Sequence, residues 1–234
     1  MISHKKLLIR FKKIEKKYFT DPRYNISKNY LHYLLLNQNF SFTKFSISGY
    51  ITNLILLLLS YTSILTSKIK NISHANYFIV HRGQKGKYDF RSSYILDNYQ
   101  FKKSLNIVRC VSFIDSIKVY FKYPNVIFYL SFDYFNNFFS YNKHSLIEDY
   151  KVLHKKEIRN YQDIKKIFKF LKIKKFLSID DQRIIQVFLK ASKELKIETF
   201  GYMHYKFSKY VIGIKYLSFD NFIVWSDYFK KKLI

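Results

Sequence analysis

Residues 175–204 read KFLSIDDQRIIQVFLKASKELKIETFGYMH, and their pattern predicts one strand–helix–strand unit. Two short apolar runs, Lys175–Ile179 and Ile197–Met203, flank a segment, Gln182–Leu195, whose apolar residues recur at helical spacing. A strand, a helix and a second strand of one sheet make a right-handed crossover, so the two strands run parallel. The unit therefore predicts an α/β protein with a parallel sheet.

The same alternation extends in both directions from this unit. Further strands are predicted over Tyr77–Val80, Ile107–Phe113, Val126–Phe132 and Asn221–Trp225, and further helices over Phe90–Leu105 and Glu157–Leu171. We therefore expect residues 73–234 to form an open, mostly parallel, Rossmann-like sheet flanked by helices.

Residues 1–72 are expected to form a mainly helical N-terminal segment. Within it, Phe45–Ser67 carries no charge, and Leu54–Leu59 is continuously apolar. Polar residues interrupt the rest of this stretch, which favours a buried or interfacial helix over a strand pair, an irregular core segment or a membrane span. No apolar segment of the length of a secretory signal follows the basic N-terminus, so a cytoplasmic protein is expected.

The composition excludes several classes of protein. The chain has 234 residues, of which 48% are hydrophobic and 20% aromatic, and this content is too high for a disordered protein. A single cysteine, Cys110, excludes a disulfide framework and any zinc site that needs two cysteines. The histidines are dispersed, with no HExxH motif, so no metal site is expected.

The formal net charge of +26 points to an anionic partner. The lysines occur as dispersed pairs, which are typical of solvated surfaces, and codon bias is an alternative cause of their number. Attraction to an anionic membrane surface is favoured over nucleic-acid binding.

Polar residues follow the predicted strands at their carboxyl ends, where open parallel sheets bind ligands. Asp180 and Asp181 follow one strand, and His204 follows the next. Either aspartate could instead cap the following helix, and His204 could act as a general base, donate to a phosphate or be structural. Other residues at predicted strand ends are Arg82, Asp115, Ser226 and Asp227.

Motifs for nucleotide binding or hydrolysis are weak or absent. The loop Gly83–Lys87 is too short between its glycines for a P-loop, and Tyr88 stands where Ser or Thr is required. Neither GxGxxG nor GxSxG occurs.

Arg183 lies in the first turn of the predicted helix Gln182–Leu195, where a positive charge is mildly unfavourable. This position favours a contact between Arg183 and an anion.

Three segments carry a resemblance to a known family: FLSIDDQR from Phe176, KELKIETFGYMHYKFSKY from Lys193 and FDNFIVWSDYFKKKL from Phe219. Together they resemble the N-terminal domain of GT-B-type glycosyltransferases of bacterial surface-polysaccharide biosynthesis. The segment YDFRS, residues 88–92, is similar to an early segment of these proteins. The resemblance matches Asp180, Asp181, Arg183 and His204 to positions at the rim of the family's sheet, and Asp220, Trp225 and Ser226 to a later strand. We therefore predict catalytic roles for His204, Asp180 and Asp181. Substrate-binding roles are predicted for Arg183, Arg82, Arg91 and Tyr205.

The resemblance implies the acceptor-side half of such an enzyme. The nucleotide-sugar donor would bind a second domain that this chain lacks, so the chain alone should bind no cofactor and be inactive. The implied partners are the nucleotide-sugar and a glycan or lipid-linked acceptor, with peripheral contact at the inner membrane face. The alternative is a basic, non-enzymatic protein that binds an anionic membrane surface or nucleic acid.

Overall fold

The computed structural model describes residues 9, 12, 13, 16, 47–80, 103–110, 112–129, 146–178, 185–202 and 218–224. In chain order, these residues form helix α1 (Ile47–Ile69), strands β1 (His74–Val80) and β2 (Ser104–Cys110), helix α2 (Phe113–Lys122), strand β3 (Val126–Phe128), helix α3 (Leu146–Leu171), strand β4 (Lys175–Ser178), helix α4 (Ile185–Glu194) and strands β5 (Glu198–Tyr202) and β6 (Asn221–Ile223).

The six strands form one sheet in the order β3-β2-β1-β4-β5-β6, and every neighbouring pair is parallel. Four helices flank this sheet in the described part of the chain. The predicted α/β fold with an open, parallel, Rossmann-like sheet is therefore confirmed. The order reverses after β3, because the chain returns from that edge to pair β4 with β1.

The strands bury side chains on both faces, as expected for a parallel sheet covered by helices. In β1, Ala75 and Tyr77 pack in a cluster with α3 and α4, while Phe78 and Val80 pack in a second cluster with α2. Helix α1 contributes Leu56 to the second cluster and Ile64 to the first. It therefore lies along the β3 edge of the sheet and reaches both faces.

Ser60 joins α1 to that edge. The backbone N–H of Phe128 in β3 donates a hydrogen bond of 2.9 Å to Ser60 Oγ. The Ser60 hydroxyl in turn donates to the Leu56 carbonyl at 2.7 Å. An edge strand has backbone groups that no neighbouring strand can bond. Here α1 supplies an acceptor for one of them, the Phe128 N–H.

The structure corrects the prediction between β2 and β3. The predicted strand Ile107–Phe113 ends at Cys110, and Phe113 begins α2, a helix that the sequence analysis did not predict. Ser112 caps this helix, because its Oγ accepts a hydrogen bond from the Asp115 N–H at 3.1 Å and donates to Asp115 Oδ2 at 2.6 Å. Asp115 is thus a capping residue in the first turn of α2, not the residue that ends β2.

The other predicted elements differ mainly in their bounds. The uncharged stretch forms the predicted helix, α1, and the predicted helix Glu157–Leu171 is the second half of α3. The predicted helix Phe90–Leu105 lies outside the described residues except at its end, where Ser104 and Leu105 belong to β2.

Candidate functional site at the carboxyl edge of the sheet

The strand order places the point of reversal between β1 and β4, at the middle of the sheet. In open α/β sheets, ligands bind in the crevice outside the carboxyl ends of the two strands at this point. The register pairs Tyr77 with Ser178, and Ser178 with Gly201, so β1, β4 and β5 run side by side toward the same edge. Their last residues are Val80, Ser178 and Tyr202. The carboxyl ends of these three strands are the candidate site.

The residues that the sequence analysis assigned to this site all lie outside the described residues. They are Arg82, Arg91, Asp180, Asp181, Arg183, His204 and Tyr205, and the capping candidates Ser226 and Asp227 lie outside as well. What the structure describes is the strand that precedes three of them. Arg82, Asp180 and His204 are each the second residue after the end of β1, β4 and β5, respectively.

A buried polar cluster at the same end of the sheet was missed by the sequence analysis. Tyr129 directly follows β3, and its hydroxyl accepts a hydrogen bond of 3.0 Å from Asn160 Nδ2 of α3. Glu157, one helical turn before Asn160, is 0% exposed. Burial of a carboxyl group is costly, and such groups concentrate at functional sites. Glu157 is therefore an additional candidate for acid–base or hydrogen-bonding chemistry.

The signal for this cluster was present in the sequence. Glu157 and Asn160 precede Ile164, Phe168 and Leu171 at spacings of three and four residues, so they continue the buried face of α3. Polar residues at core-facing positions of a predicted helix are more informative than polar residues between strands, because water cannot satisfy them.

Three aromatic rings pack together between β1, the end of β3 and α4. The Tyr77 ring lies 5.0 Å from the Phe188 ring and 6.3 Å from the Tyr129 ring, measured between centroids. Tyr129 and Phe188 are also in contact, with their centroids 5.6 Å apart. Close packing of these rings keeps β1, the end of β3 and α4 in fixed positions relative to one another.

Cys110 ends β2 at the same edge, but its chemistry argues against a nucleophilic role. The side chain is buried, and this burial raises the pKa of the Cys110 thiol to about 12. The thiolate is the reactive form, so this thiol is unreactive at neutral pH.

The last two strands, β5 and β6, are held together by a hydrogen-bonded pair and a close backbone contact. Asp220 Oδ2 accepts hydrogen bonds of 2.8 Å from both the N–H and the hydroxyl of Thr199, and the Asp220 N–H donates to Thr199 Oγ1 at 2.9 Å. At Gly201, an added Cβ would lie 2.5 Å from the Phe219 ring. Thr199, Gly201 and Asp220 therefore dock β6 against β5, and Asp220 precedes β6 at the amino end, away from the candidate site.

A cleft of about 510 Å³ lies beside this docking contact. Its lining includes Lys193 in the last turn of α4, Lys196 after that helix, Thr199 and Asp220. These residues lie at or before the starts of β5 and β6, so the cleft is at the amino end of these strands. Thr199 and Asp220 bind each other, and the other polar residues of the lining are Lys193, Lys196, Glu198 and Ser218.

Among the residues that the structure describes, no group of three or more His, Cys, Asp or Glu side chains could hold a metal ion. Comparisons with protein-family models, curated proteins and solved structures find no match to this chain. A proposal for the function therefore depends on the fold and on the candidate site at the carboxyl ends of β1, β4 and β5.

Proposed function

We propose that this chain is the acceptor-side domain of a glycosyltransferase that uses a nucleotide-activated sugar in surface-polysaccharide synthesis. One observation carries the proposal. Strands β1, β4 and β5 are adjacent and parallel, and in the sequence each is followed two residues later by Arg82, Asp180 or His204. Adjacent strands are about 4.8 Å apart, so these three strands together span roughly 10 Å across the sheet.

The proposed chemistry is transfer of the sugar to an acceptor hydroxyl. The acceptor oxygen forms a bond to the anomeric carbon, the bond from that carbon to the phosphate oxygen breaks, and the nucleoside diphosphate leaves. A base takes the acceptor proton, a role that we assign to His204 or to one of Asp180 and Asp181. Arg183 and Arg82 would stabilise an anionic group of the substrate, and Arg91 and Tyr205 would contact the acceptor.

Glu157 supports the proposal from the described part of the chain. It is a fully buried carboxyl group on α3, one helical turn before Asn160, which donates a hydrogen bond to Tyr129 after the end of β3. A carboxylate can orient several neighbouring donors, because each oxygen accepts more than one hydrogen bond. Since no part of Glu157 is exposed, its proposed role is to position neighbouring side chains rather than to contact the acceptor.

The resemblance assigns the nucleotide-sugar to a second domain, so acceptor binding is the property expected of this chain. The probe is a panel of short hexose and N-acetylhexosamine oligosaccharides, observed by saturation-transfer NMR with the full chain. We expect at least one saccharide to bind, and His204→Ala to weaken it roughly tenfold. Lys193→Gln is the matched control, because Lys193 lies on α4 at the amino end of β5 and should leave the affinity unchanged.

Two results would contradict the proposal. The first is a complete absence of saccharide binding by the folded wild-type chain. The second is binding that Lys193→Gln weakens as much as His204→Ala, since this would place the saccharide in the cleft at the amino end of the sheet.

The net charge of +26 favours a second candidate, a non-enzymatic protein that binds nucleic acid or an anionic membrane surface. A nucleic-acid protein would lose affinity steeply as salt rises, because phosphate contacts release counterions. Filter binding of duplex DNA at low and physiological salt tests it. The acceptor-domain proposal predicts little retention at physiological salt.

A further inference from the structure

Helix α1 is inverted with respect to an ordinary surface helix. The side that packs against the sheet is rich in small polar residues, namely Asn53, Ser60, Ser63 and Ser67, beside Leu56 and Ile64. The outer face of α1 is exposed and mainly apolar, and its apolar residues are Ile51, Leu54, Ile55, Leu58, Tyr61, Leu65 and Ile69. An amphipathic helix in water shows the opposite arrangement.

Packing against the sheet accounts for the small polar residues on the inner side of α1, but it does not account for the apolar residues on the outer side. Ser60 bonds to β3, and small side chains let α1 approach the edge closely. The outer residues recur every three or four positions over about 27 Å of helix. Leu58 and Leu65 are each 58% exposed. A continuous apolar stripe of this length indicates a partner surface.

The hydroxyl groups on the outer side of α1 are already satisfied within the chain. Thr62 Oγ1 donates to the Leu59 carbonyl at 2.8 Å and bonds to the Tyr120 hydroxyl at 2.9 Å. Thr66 Oγ1 donates to the Thr62 carbonyl at 2.8 Å. These polar groups can therefore leave water at little cost, which suits a partner of low polarity.

Aromatic residues and lysines border the stripe on both sides. On α2, which contacts α1 through Tyr120 and Thr62, Phe121 is 82% exposed and lies between the exposed Lys118 and Lys122. At the end of α3, Phe170 is exposed, and Lys68 of α1 lies over its ring at 4.9 Å.

The charge of this border has one sign. The described part of α1 contains no acidic residue, and Asp115, the acidic residue of α2, is buried at the cap. The surface therefore combines apolar area with positive charge. Long lysine side chains can cover apolar area and still present their ammonium groups to anions.

These features select among the surfaces that could cover α1. In the described residues, α1 is the one helix long and apolar enough to cross a bilayer, but its inner side packs against β3, α2 and α3. A second copy would bring two chains of +26 together. Nucleic acid would leave the apolar stripe without a complementary surface.

We infer that the outer face of α1 docks in the plane of an anionic lipid surface, with Phe121 and Phe170 at the interface and the bordering lysines against the headgroups. Interfacial helices bind in this way through apolar area and basic charge together. The inference does not depend on the transfer chemistry, since none of these residues belongs to the candidate site.

The test is flotation of the full chain with vesicles of phosphatidylcholine alone or of equal parts phosphatidylcholine and phosphatidylglycerol. We expect binding to the anionic vesicles. Leu58→Glu/Leu65→Glu should lower the partition coefficient more than about 30-fold, because two apolar side chains are lost and two negative charges are gained. Both positions are exposed and Glu favours helix, so circular dichroism and the Tm should be unchanged.

A matched control separates the stripe from net charge. Lys193→Gln/Lys196→Asn lies beside the start of β5, across the sheet from the β3 edge that α1 covers, and gives the same net charge, 26 − 2 = +24, as the double glutamate variant. It should still bind the vesicles. Lys118→Gln/Lys122→Gln should weaken binding to the anionic vesicles roughly fivefold per lysine and should change binding to phosphatidylcholine little.

Three outcomes would overturn the inference. One is failure of the wild-type chain to float with anionic vesicles. Another is equal flotation of the wild-type and double glutamate chains. The third is a wild-type dimer in sedimentation that the glutamates dissociate without any vesicle binding, since a second copy would then cover the stripe.

Discussion

Ser60 Oγ accepts a hydrogen bond of 2.9 Å from the backbone N–H of Phe128, although the two residues are 68 positions apart in the chain. The contact fixes α1 to the edge of the sheet at β3, and both residues are buried. A buried N–H that loses its acceptor keeps the full cost of its removal from water.

Ser60→Ala tests this contact. We expect the free energy of unfolding to fall by about 1–2 kcal/mol, because the Phe128 N–H loses its acceptor and alanine offers none. Urea unfolding followed by circular dichroism measures the change. The control is Thr66→Ala, whose hydroxyl is exposed and bonds within its own helix, and an equal loss in both variants would argue against the contact.

Gly201→Ala tests the packing of β6 on β5. The added Cβ would lie 2.5 Å from the Phe219 ring, so either the ring or β6 must move. We expect a loss of roughly 1–3 kcal/mol. Adding Phe219→Ala should make the Gly201→Ala substitution nearly neutral, and a strictly additive double variant would contradict this explanation.

Asp220→Ala removes an acceptor that holds both the N–H and the hydroxyl of Thr199. We expect a lower Tm and faster amide exchange at Thr199 than at the core residue Phe176. Thr199→Val keeps the N–H bond and should have the smaller effect. Because the carboxylate bonds only within the fold, saccharide affinity should be preserved once the variant is folded.

Cys110 should resist labelling in the folded chain. Its pKa is raised to about 12 by burial, so at about pH 8 only about one thiol in ten thousand is ionised. Ellman's reagent should react slowly with the native chain and rapidly after unfolding in urea. Fast labelling without urea would show that this end of β2 is open to solvent.

Because His74 has a lowered pKa in the folded chain, we expect the chain to lose stability in mild acid. Burial, assisted by the nearby charges of Lys175 and Lys174, lowers the pKa of His74 below its ordinary 6.5. Between the folded and unfolded pKa values, the unfolded chain binds more protons, so stability is present above pH 6.5 and decreases as the pH falls below it.

Urea unfolding at about pH 7.5 and about pH 5.5 measures this effect against His74→Gln. The wild-type chain should lose more stability between these pH values than the variant, because glutamine does not titrate. Equal losses would mean that His74 contributes no pH dependence.

The fold could be predicted because its signals are local. Short apolar runs and helical spacing identify β1, β4, β5 and the later part of α3, and crossover geometry makes the strands parallel. Helix α2 was missed because Cys110, Val111 and Phe113 continue the apolar run of β2. The Ser112–Asp115 capping pair was the signal that should have ended the strand.

The candidate site was predictable only in part. The rule that ligands bind at carboxyl ends ranked residues by their position after strands, and this led to Asp180 and His204. It could not find Glu157, which reaches the same end from a helix. Nor could spacing show that Thr199 and Asp220 bind each other, since this pairing depends on the register of β5 and β6.

The position of α1 also limits how the molecule can assemble. A bare outermost strand invites another chain to extend the sheet by backbone pairing, a common origin of aggregates. Here α1 covers the edge strand β3 and accepts a hydrogen bond from one of its backbone N–H groups. In the described part of the chain, growth of the sheet by an added strand could therefore begin only beside β6.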